Sequence, residues 1–215
     1  MNRYSTLKTV DTNYYSTKNI ILREISSNKT ILDIGCNDGY FGRFDKGNIY
    51  YGLDYSVKAL SDAKNDYKDI LQYDLNNLLV LPWDIKFDTI VFADVLEHVL
   101  YPEKVLEYFS KNYLINNGKV IISLPNIANW QVRLNLLFGK FNYTDTGIMD
   151  KTHLHFYSFR SASRLIRENN LRINKVFSGA SFFGPTIDIF PFLRNILATN
   201  IILICEKNEK KKIIK

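Results

Sequence analysis

The sequence predicts an α/β domain, a mostly parallel sheet with helices on both faces. Three observations carry this. Short apolar runs alternate with longer amphipathic stretches along the chain. The run Phe87–Ala93 is apolar enough for a central strand covered on both sides. Ile31-Leu32-Asp33-Ile34 leads straight into a turn holding Gly35 and Gly39, and open α/β sheets bind ligands at such strand ends.

The elements follow in order. Residues 18–26 form a helix with Ile20, Ile21, Leu22 and Ile25 apolar. Thr30–Ile34 is a buried strand. Ile49–Leu53 is the next, ending at Asp54, and Ser56 caps a helix to Asn65. Ile70–Tyr73 is a short third strand and Phe87–Ala93 the fourth. Pro102 opens a helix to about Lys111, where its missing N–H is harmless. Asn116-Asn117-Gly118 is a turn before a fifth strand, Lys119–Leu124, which Pro125 stops. Trp130–Phe138 is a helix within an irregular insert, 126–157, of the kind that forms lids and substrate walls. Ser158 caps a helix to about Asn169. Leu171–Ser178 and Asn200–Lys207 are the last strands, paired as an antiparallel hairpin.

The 215 residues fit one domain, 1–215, and a chain this long buries roughly 70% of its unfolded surface without needing disulfides or a structural metal. Its 46% hydrophobic and 23% charged residues exclude wholesale disorder. The two cysteines, Cys36 and Cys205, cannot by themselves form a disulfide framework or a four-ligand zinc site. The start, Met1 to Lys18, has no apolar signal core, so a cytoplasmic location is expected. Phe182–Cys205 is too interrupted by charges and prolines to span a membrane. Of the net charge of +6, +3 lies in Glu206–Lys215, with five lysines against two glutamates. The remainder is only mildly basic, which argues against a nucleic-acid partner. The basic tail, 208–215, is at most a weak contact to an anionic membrane surface.

The glycine turn discriminates between cofactors. Counting from Gly35, Asn37 and Tyr40 occupy positions where a dinucleotide fingerprint needs glycine, and no P-loop Gly-Lys-Ser/Thr follows. The pattern that fits is Asp-x-Gly-x-x-x-Gly, through Asp33, Gly35 and Gly39. It resembles motif I of the class I S-adenosylmethionine-dependent methyltransferases, usually D-x-G-C-G-x-G. Asn37 replaces the middle glycine, and Asn is the side chain that best tolerates positive φ. Asp54, Asp74-Leu75 and the run Phe87 to Val99, ending Glu97-His98-Val99, match the family's later motifs in order across about residues 30–125.

The resemblance implies a Rossmann-like, seven-stranded, mostly parallel sheet in the order 3-2-1-4-5-7-6, with the C-terminal strand antiparallel. It implies S-adenosylmethionine as cofactor and S-adenosylhomocysteine (SAH) as product. The implied binding set is Asp33, Gly35, Cys36, Asn37, Gly39, Asp54, Tyr55, Asp74, Leu75, Ala93, Val95 and His98. Within it Asp54 takes the ribose hydroxyls, Asp74 and Leu75 the adenine, and the end of the fourth strand the methionine portion.

Two further segments resemble small-molecule branches of the family. Ser123-Leu124-Pro125-Asn126, then Trp130 and Arg133, is similar to the S-x-P-N-x-x-x-W-x-x-R segment of MetW-type proteins. Asp150 to Ser158 is similar to the D-x-x-H-L-R-F-F-T segment of polysaccharide-pathway methyltransferases, with His155 where Arg is common. The Asp/Asn-Pro-Pro-Tyr signature of base methylases is absent after the fourth strand. The expected reaction is methyl transfer to oxygen of a sugar, glycan precursor or related metabolite. The alternative is a MetW-like partner of methionine biosynthesis that binds cofactor without catalysing transfer.

A hydroxyl acceptor must lose a proton, and histidine is the natural base near neutral pH. His98, His153 and His155 are the three histidines, and all are catalytic candidates. Alternation along an extended segment puts His153 and His155 on one face. Glu97 beside His98 is a pair that holds a cation in some related quinone methyltransferases; no other acid cluster has metal spacing, and no metal is expected. Tyr14 and Tyr15 are candidates to fold over the cofactor, and Phe182, Phe183, Phe190 and Phe192 to wall the acceptor pocket or form a dimer face. The chain is expected to be a monomer or homodimer.

Overall fold

The computed structural model describes residues 9, 11–180 and 182–208. Among these, β1 (Thr30–Ile34), β2 (Ile49–Asp54), β3 (Asp69–Gln72), β4 (Phe87–Ala93), β5 (Leu114–Pro125), β6 (Leu171–Gly179) and β7 (Asn200–Lys207) form one sheet in the order β3-β2-β1-β4-β5-β7-β6. Neighbours from β3 to β5 pair parallel, and β7 runs antiparallel between β5 and β6. This is the predicted order and sense.

The apolar runs become strands because successive side chains leave opposite faces of the pleat and both faces are covered. Ile31, Val91 and Ile121 point into one layer, under α1 (Thr17–Glu24), α2 (Tyr40–Phe44) and α3 (Val57–Ala63), with Ile21, Phe41 and Leu60. Leu32, Ile90, Phe92 and Ile122 point into the other, under α4 (Pro102–Tyr113) and α6 (Phe159–Glu168), with Leu106, Phe109 and Ile166. Each such fully buried side chain contributes roughly 1.5–3 kcal/mol. Ser56 accepts from the Ala59 N–H to cap α3, and Ser158 with Ser161 forms a reciprocal capping box on α6.

The structure departs from the expectation in places. Asn117 and Gly118 do not close a turn ahead of the fifth strand. β5 starts at Leu114, and the ladder slips between Phe87 and Thr89 with Asn117 at φ 62°. The Asn-Asn-Gly turn chemistry is absorbed into an irregular strand start. Three short helices had no periodic signal: α2, α7 (Gly184–Ile189) and α8 (Arg194–Leu197). The insert carries α5 (Trp130–Leu137), of which only Val132 is buried. Its stem is pinned where β7 begins, since the Asn126 N–H donates to Thr199 O at 2.8 Å and the Asn129 amide to Ala198 O at 3.0 Å. No helix among the described residues is long and apolar enough to cross a membrane. Residues 209–215 of the basic tail, and with them the lipid contact, lie outside the described residues.

Candidate active site

The chain leaves β1 toward β2 on one side and later returns at β4 on the other, so the loops after β1 and β4 diverge and open a crevice. Gly35 sits at φ +72°, and a Cβ there would meet Val95 Cγ2 at 2.4 Å. Its N–H donates to Leu53 O at 2.7 Å, tying the turn to β2. Asn37 stands at φ 48°, the left-handed conformation its side chain tolerates. Gly39, at φ +79°, lets α2 start against Ala63, where a Cβ would come within 2.9 Å.

The crevice is a cavity of about 760 Å³, the size range of small-molecule and cofactor sites. Of the residues assigned to the cofactor by resemblance, all but Gly39 line it. Asp54 ends β2 with its carboxylate braced, Oδ2 accepting the Asn37 N–H at 2.9 Å and Oδ1 the Ser56 N–H at 2.8 Å. Asp74 Oδ1 accepts the Asn76 N–H at 2.9 Å, which holds the turn after β3. The buried Asn37 Oδ1 has no hydrogen-bond partner among the described residues. A glycine-lined approach, a braced carboxylate and an unsatisfied acceptor fit a polar, hydroxyl- and amine-bearing ligand such as the nucleoside cofactor.

Asp33 is buried beneath this turn. Tyr67 donates to its Oδ2 at 2.5 Å, and its Oδ1 has no partner among the described residues. Burial pushes its pKa up to about 7 against the hydrogen bond from Tyr67. Burial likewise raises the Cys36 thiol and pushes Cys205 up to about 12, so both free cysteines are packing residues rather than nucleophiles.

Sequence reasoning missed Thr17, Lys18 and Ile21 of α1, Asp94 after β4, and Thr152 of the insert, all of which line the cavity. The Lys18 ammonium lies 4.2 Å from the Tyr40 ring centroid. Burial lowers its pKa, opposed by Asp38 and Asp11. A lysine in an amphipathic helix gives no signal of this placement. Asp94, at φ 54°, opens onto the cavity yet is ringed by protein, with Ser123 Oγ donating to its Oδ1 at 2.8 Å and the Asn200 amide at 3.0 Å. Tyr14 and Tyr15 do not close over the cavity. They stack edge-on at 5.1 Å, and Tyr15 donates to Asp188 at 2.8 Å. The insert reaches the cavity wall only through Thr152 among the described residues. Phe141, Tyr143 and Phe156 contact one another instead, and Phe182, Phe183, Phe190 and Phe192 also lie away from the lining.

The histidines separate. His98, in a single 3-10 turn (Leu96–His98), lines the cavity, with Nδ1 at 3.1 Å from Thr152 O. The His153 ring packs against it at 4.8 Å, its Nδ1 3.1 Å from Ile148 O. Burial lowers the His153 pKa. His155 does not share that face. The segment is curled rather than extended, because the N–H groups of Leu154 and His155 both donate to Glu97 O, at 2.8 and 3.2 Å. His155 Nε2 lies 3.4 Å from Leu100 O. Glu97 itself is 0% exposed, and neither carboxyl oxygen has a partner among the described residues. Burial, with Asp94 nearby, raises its pKa well above the usual carboxyl range.

The family described as "Methionine biosynthesis protein MetW" matches residues 16–199. The chain belongs to the MetW family. Its fold is that of solved S-adenosylmethionine-dependent methyltransferases. Over 90 residues it is 36% identical to the mitochondrial ubiquinone biosynthesis O-methyltransferase of Candida albicans, covering 37% of this chain and 28% of that one. The MetW-family chain therefore spans well under half the length of that curated relative. A possible histamine N-methyltransferase from Thermotoga maritima superposes with a TM-score of 0.65 at 17% identity, over 91% of this chain and 89% of that one. Magnesium protoporphyrin IX methyltransferase from Synechocystis, with bound SAH, gives 0.64 at 15% identity, over 93% and 89%. At those identities the likeness is one of fold. The MetW match includes both the glycine turn and the His153 segment.

Proposed function

We propose that this MetW-family chain transfers a methyl group from S-adenosylmethionine to an oxygen of a small metabolite, in the class of sugars, glycan precursors and similar hydroxyl compounds. One observation carries the reading. A single cavity is lined at one end by Asp54, Asp74 and the glycine turn, and at the other by His98 and Thr152, with His153 packed on His98. When bound, the cofactor supplies a methyl group already activated on a sulfonium.

The chain's own residues do the rest. Asp54, fixed by two backbone donors, presents its remaining lone pairs to ribose hydroxyls. Asp74 and Leu75 meet the adenine, and Gly35 with Val95 shapes the wall beside the methionine portion. The acceptor sits at the His98–Thr152 edge. There Nδ1 of each histidine is engaged by a carbonyl, which leaves the Nε2 lone pair of His98, on the cavity lining, for a hydroxyl proton, with His153 packed behind it. Holding the hydroxyl in line supplies much of the rate, and proton removal adds typically 10²–10⁴-fold. Oxygen as the methylated atom is supported by the aligned segment of the Candida albicans relative, whose name is that of an O-methyltransferase.

Calorimetry with S-adenosylmethionine, SAH and NAD tests the cofactor end, and incubation of a hydroxyl-compound panel with methyl-labelled cofactor tests the acceptor end. Binding of NAD in place of SAH would sink the reading. The second reading, a cofactor-binding partner in methionine biosynthesis, is favoured by the family's description. SAH binding with no labelled product, alone or with a biosynthetic acyltransferase present, would select it.

A further inference from the structure

We infer that the insert carries a self-complementary apolar face through which two copies of this chain pair about a two-fold axis. Every residue from 133 to 147 is exposed. A surface helix ordinarily turns its apolar stripe inward. α5 does the reverse. Only Val132 is buried, while Trp130, Leu134 and Leu137, which share a face at i, i+4 and i+7, are exposed, with Phe138 next to them at the C-cap. Leu137 is 78% exposed and Phe138 69%, and Leu136, Phe141 and Tyr143 are uncovered as well. At roughly 200 Å² for a complete large side chain, these seven expose on the order of 750 Å². That exceeds the ~300–600 Å² of the largest patch on a typical monomer and comes close to the ~800 Å² that each partner gives to a stable interface.

The same face holds a socket. A cavity of about 160 Å³ opens between α5 and the loop that follows it, lined by Val132, Lys140, Phe141, Thr144 and Met149 among others. The Lys140 N–H donates to Asn135 O at 2.8 Å, which folds the loop back onto the helix. A cavity of ~150 Å³ accepts a benzene ring and is too small for most metabolites. The exposed Phe138 ring belongs to the residue two positions before Lys140 at the socket's rim. An exposed ring and a ring-sized hollow on one patch suit an isologous contact, because each copy then supplies both halves. A head-to-tail contact would leave a ring and a hollow open at its ends. Charge agrees with a second copy. Residues 130–151 hold Arg133, Lys140 and Lys151 against Asp145 and Asp150, three basic minus two acidic, a net of +1. Lys151 is bridged to Asp145 at 2.6 Å. A face so near neutrality meets its own copy without strong repulsion, and gains little from an anionic membrane at about 1 kcal/mol per basic residue. None of the seven apolar residues lines the large cavity, so pairing leaves the cofactor end untouched.

The interface does not depend on the methyl-transfer reading, and its test is separate. Sedimentation velocity of the full chain over a wide concentration range should show a species with the mass of two chains that dissociates on dilution. Leu137→Asp puts a charge into the contact, and Phe138→Ala removes the ring from the socket. Each is expected to weaken the dimer at least about tenfold, with circular dichroism and SAH affinity unchanged. Phe192→Asp alters an exposed ring outside the insert and should leave the dimer as it is. If Leu137→Asp lowers the helix content, Phe138→Ala, which lies beyond the helix, decides. A monomer at every concentration overturns the inference, and one that also pellets with phosphatidylglycerol vesicles assigns the face to a membrane. A dimer undiminished in Leu137→Asp and Phe138→Ala, or broken by Phe192→Asp instead, overturns it too. SAH calorimetry on the same samples tests the proposed function, so the two failures stay distinguishable.

Discussion

Asp54 Oδ2 accepts the backbone N–H of Asn37 at 2.9 Å, so the carboxylate at the end of β2 is built into the turn that follows β1. The residue assigned to the ribose and the residue that departs from the glycine motif are thus one structural unit. The positive φ of Asn37 aims its N–H at Asp54, and the second oxygen takes the Ser56 N–H at the head of α3.

Asp54→Ala should therefore weaken SAH binding at least tenfold while lowering stability more modestly. Charge-assisted hydrogen bonds are worth roughly 1.5–3 kcal/mol each, and the ribose loses its acceptors. Asn37 lines the cavity, where water can meet its freed N–H. Calorimetry showing less than about a threefold loss of affinity would refute the ribose assignment.

Gly35→Ala should destabilise the protein for two separable reasons. A non-glycine residue at φ +72° is strained, at roughly 1–3 kcal/mol, and the new methyl meets Val95 Cγ2 at 2.4 Å. Val95→Ala removes the second term and leaves the first. In urea unfolding the double variant should be more stable than the sum of the single changes predicts, by at least about 0.5 kcal/mol. Strict additivity would mean that Gly35 and Val95 do not touch as described.

Asp33 makes stability fall with pH. Unfolded, its carboxyl ionises near 3.8, and folded near 7, because burial disfavours the charged form. Between those values the folded state holds more protons, so unfolding free energy declines as pH rises through the window and levels off above about 7. The loss is on the order of 4 kcal/mol at most, at 1.36 kcal/mol per unit. Asp33→Asn abolishes the titration. The melting temperature of the variant minus that of the parent should therefore rise by several degrees from pH 4 to pH 8, without cofactor. Parallel curves would show that Asp33 ionises normally.

The strand order and most of the cofactor end were legible because they rest on short-range signals. Apolar runs such as Phe87–Ala93 can be stable only where both faces are covered, and Asp33-x-Gly35 announces its turn locally. The acceptor end was not. Glu97 and His153 meet only because Glu97 O captures the Leu154 and His155 N–H groups, a tertiary contact that also turns His155 away. Lys18 lines the cavity from α1, and the Asn117 irregularity accompanies a ladder slip. None of these has a local pattern.

The final prediction separates the two ends of the cavity. His98 lines the cavity with Asp54 and Val95, whereas His153 stands behind it, its ring 4.8 Å from that of His98 and off the lining. His153→Ala should leave SAH affinity within about twofold, since no cavity-lining atom is removed. Turnover of an identified acceptor should fall by about 10²-fold or more, the range expected when proton removal at the acceptor is lost. His98→Ala should reduce both, because His98 borders donor and acceptor alike. The measurement is paired: SAH calorimetry and single-turnover methyl transfer on the same preparations. His155→Ala is the internal control. Its ring faces Leu100 O and Tyr157 rather than the other two histidines, so both quantities should stay near the parent values. A loss of SAH affinity in His153→Ala equal to that in His98→Ala would place His153 at the donor end and leave the acceptor end unassigned.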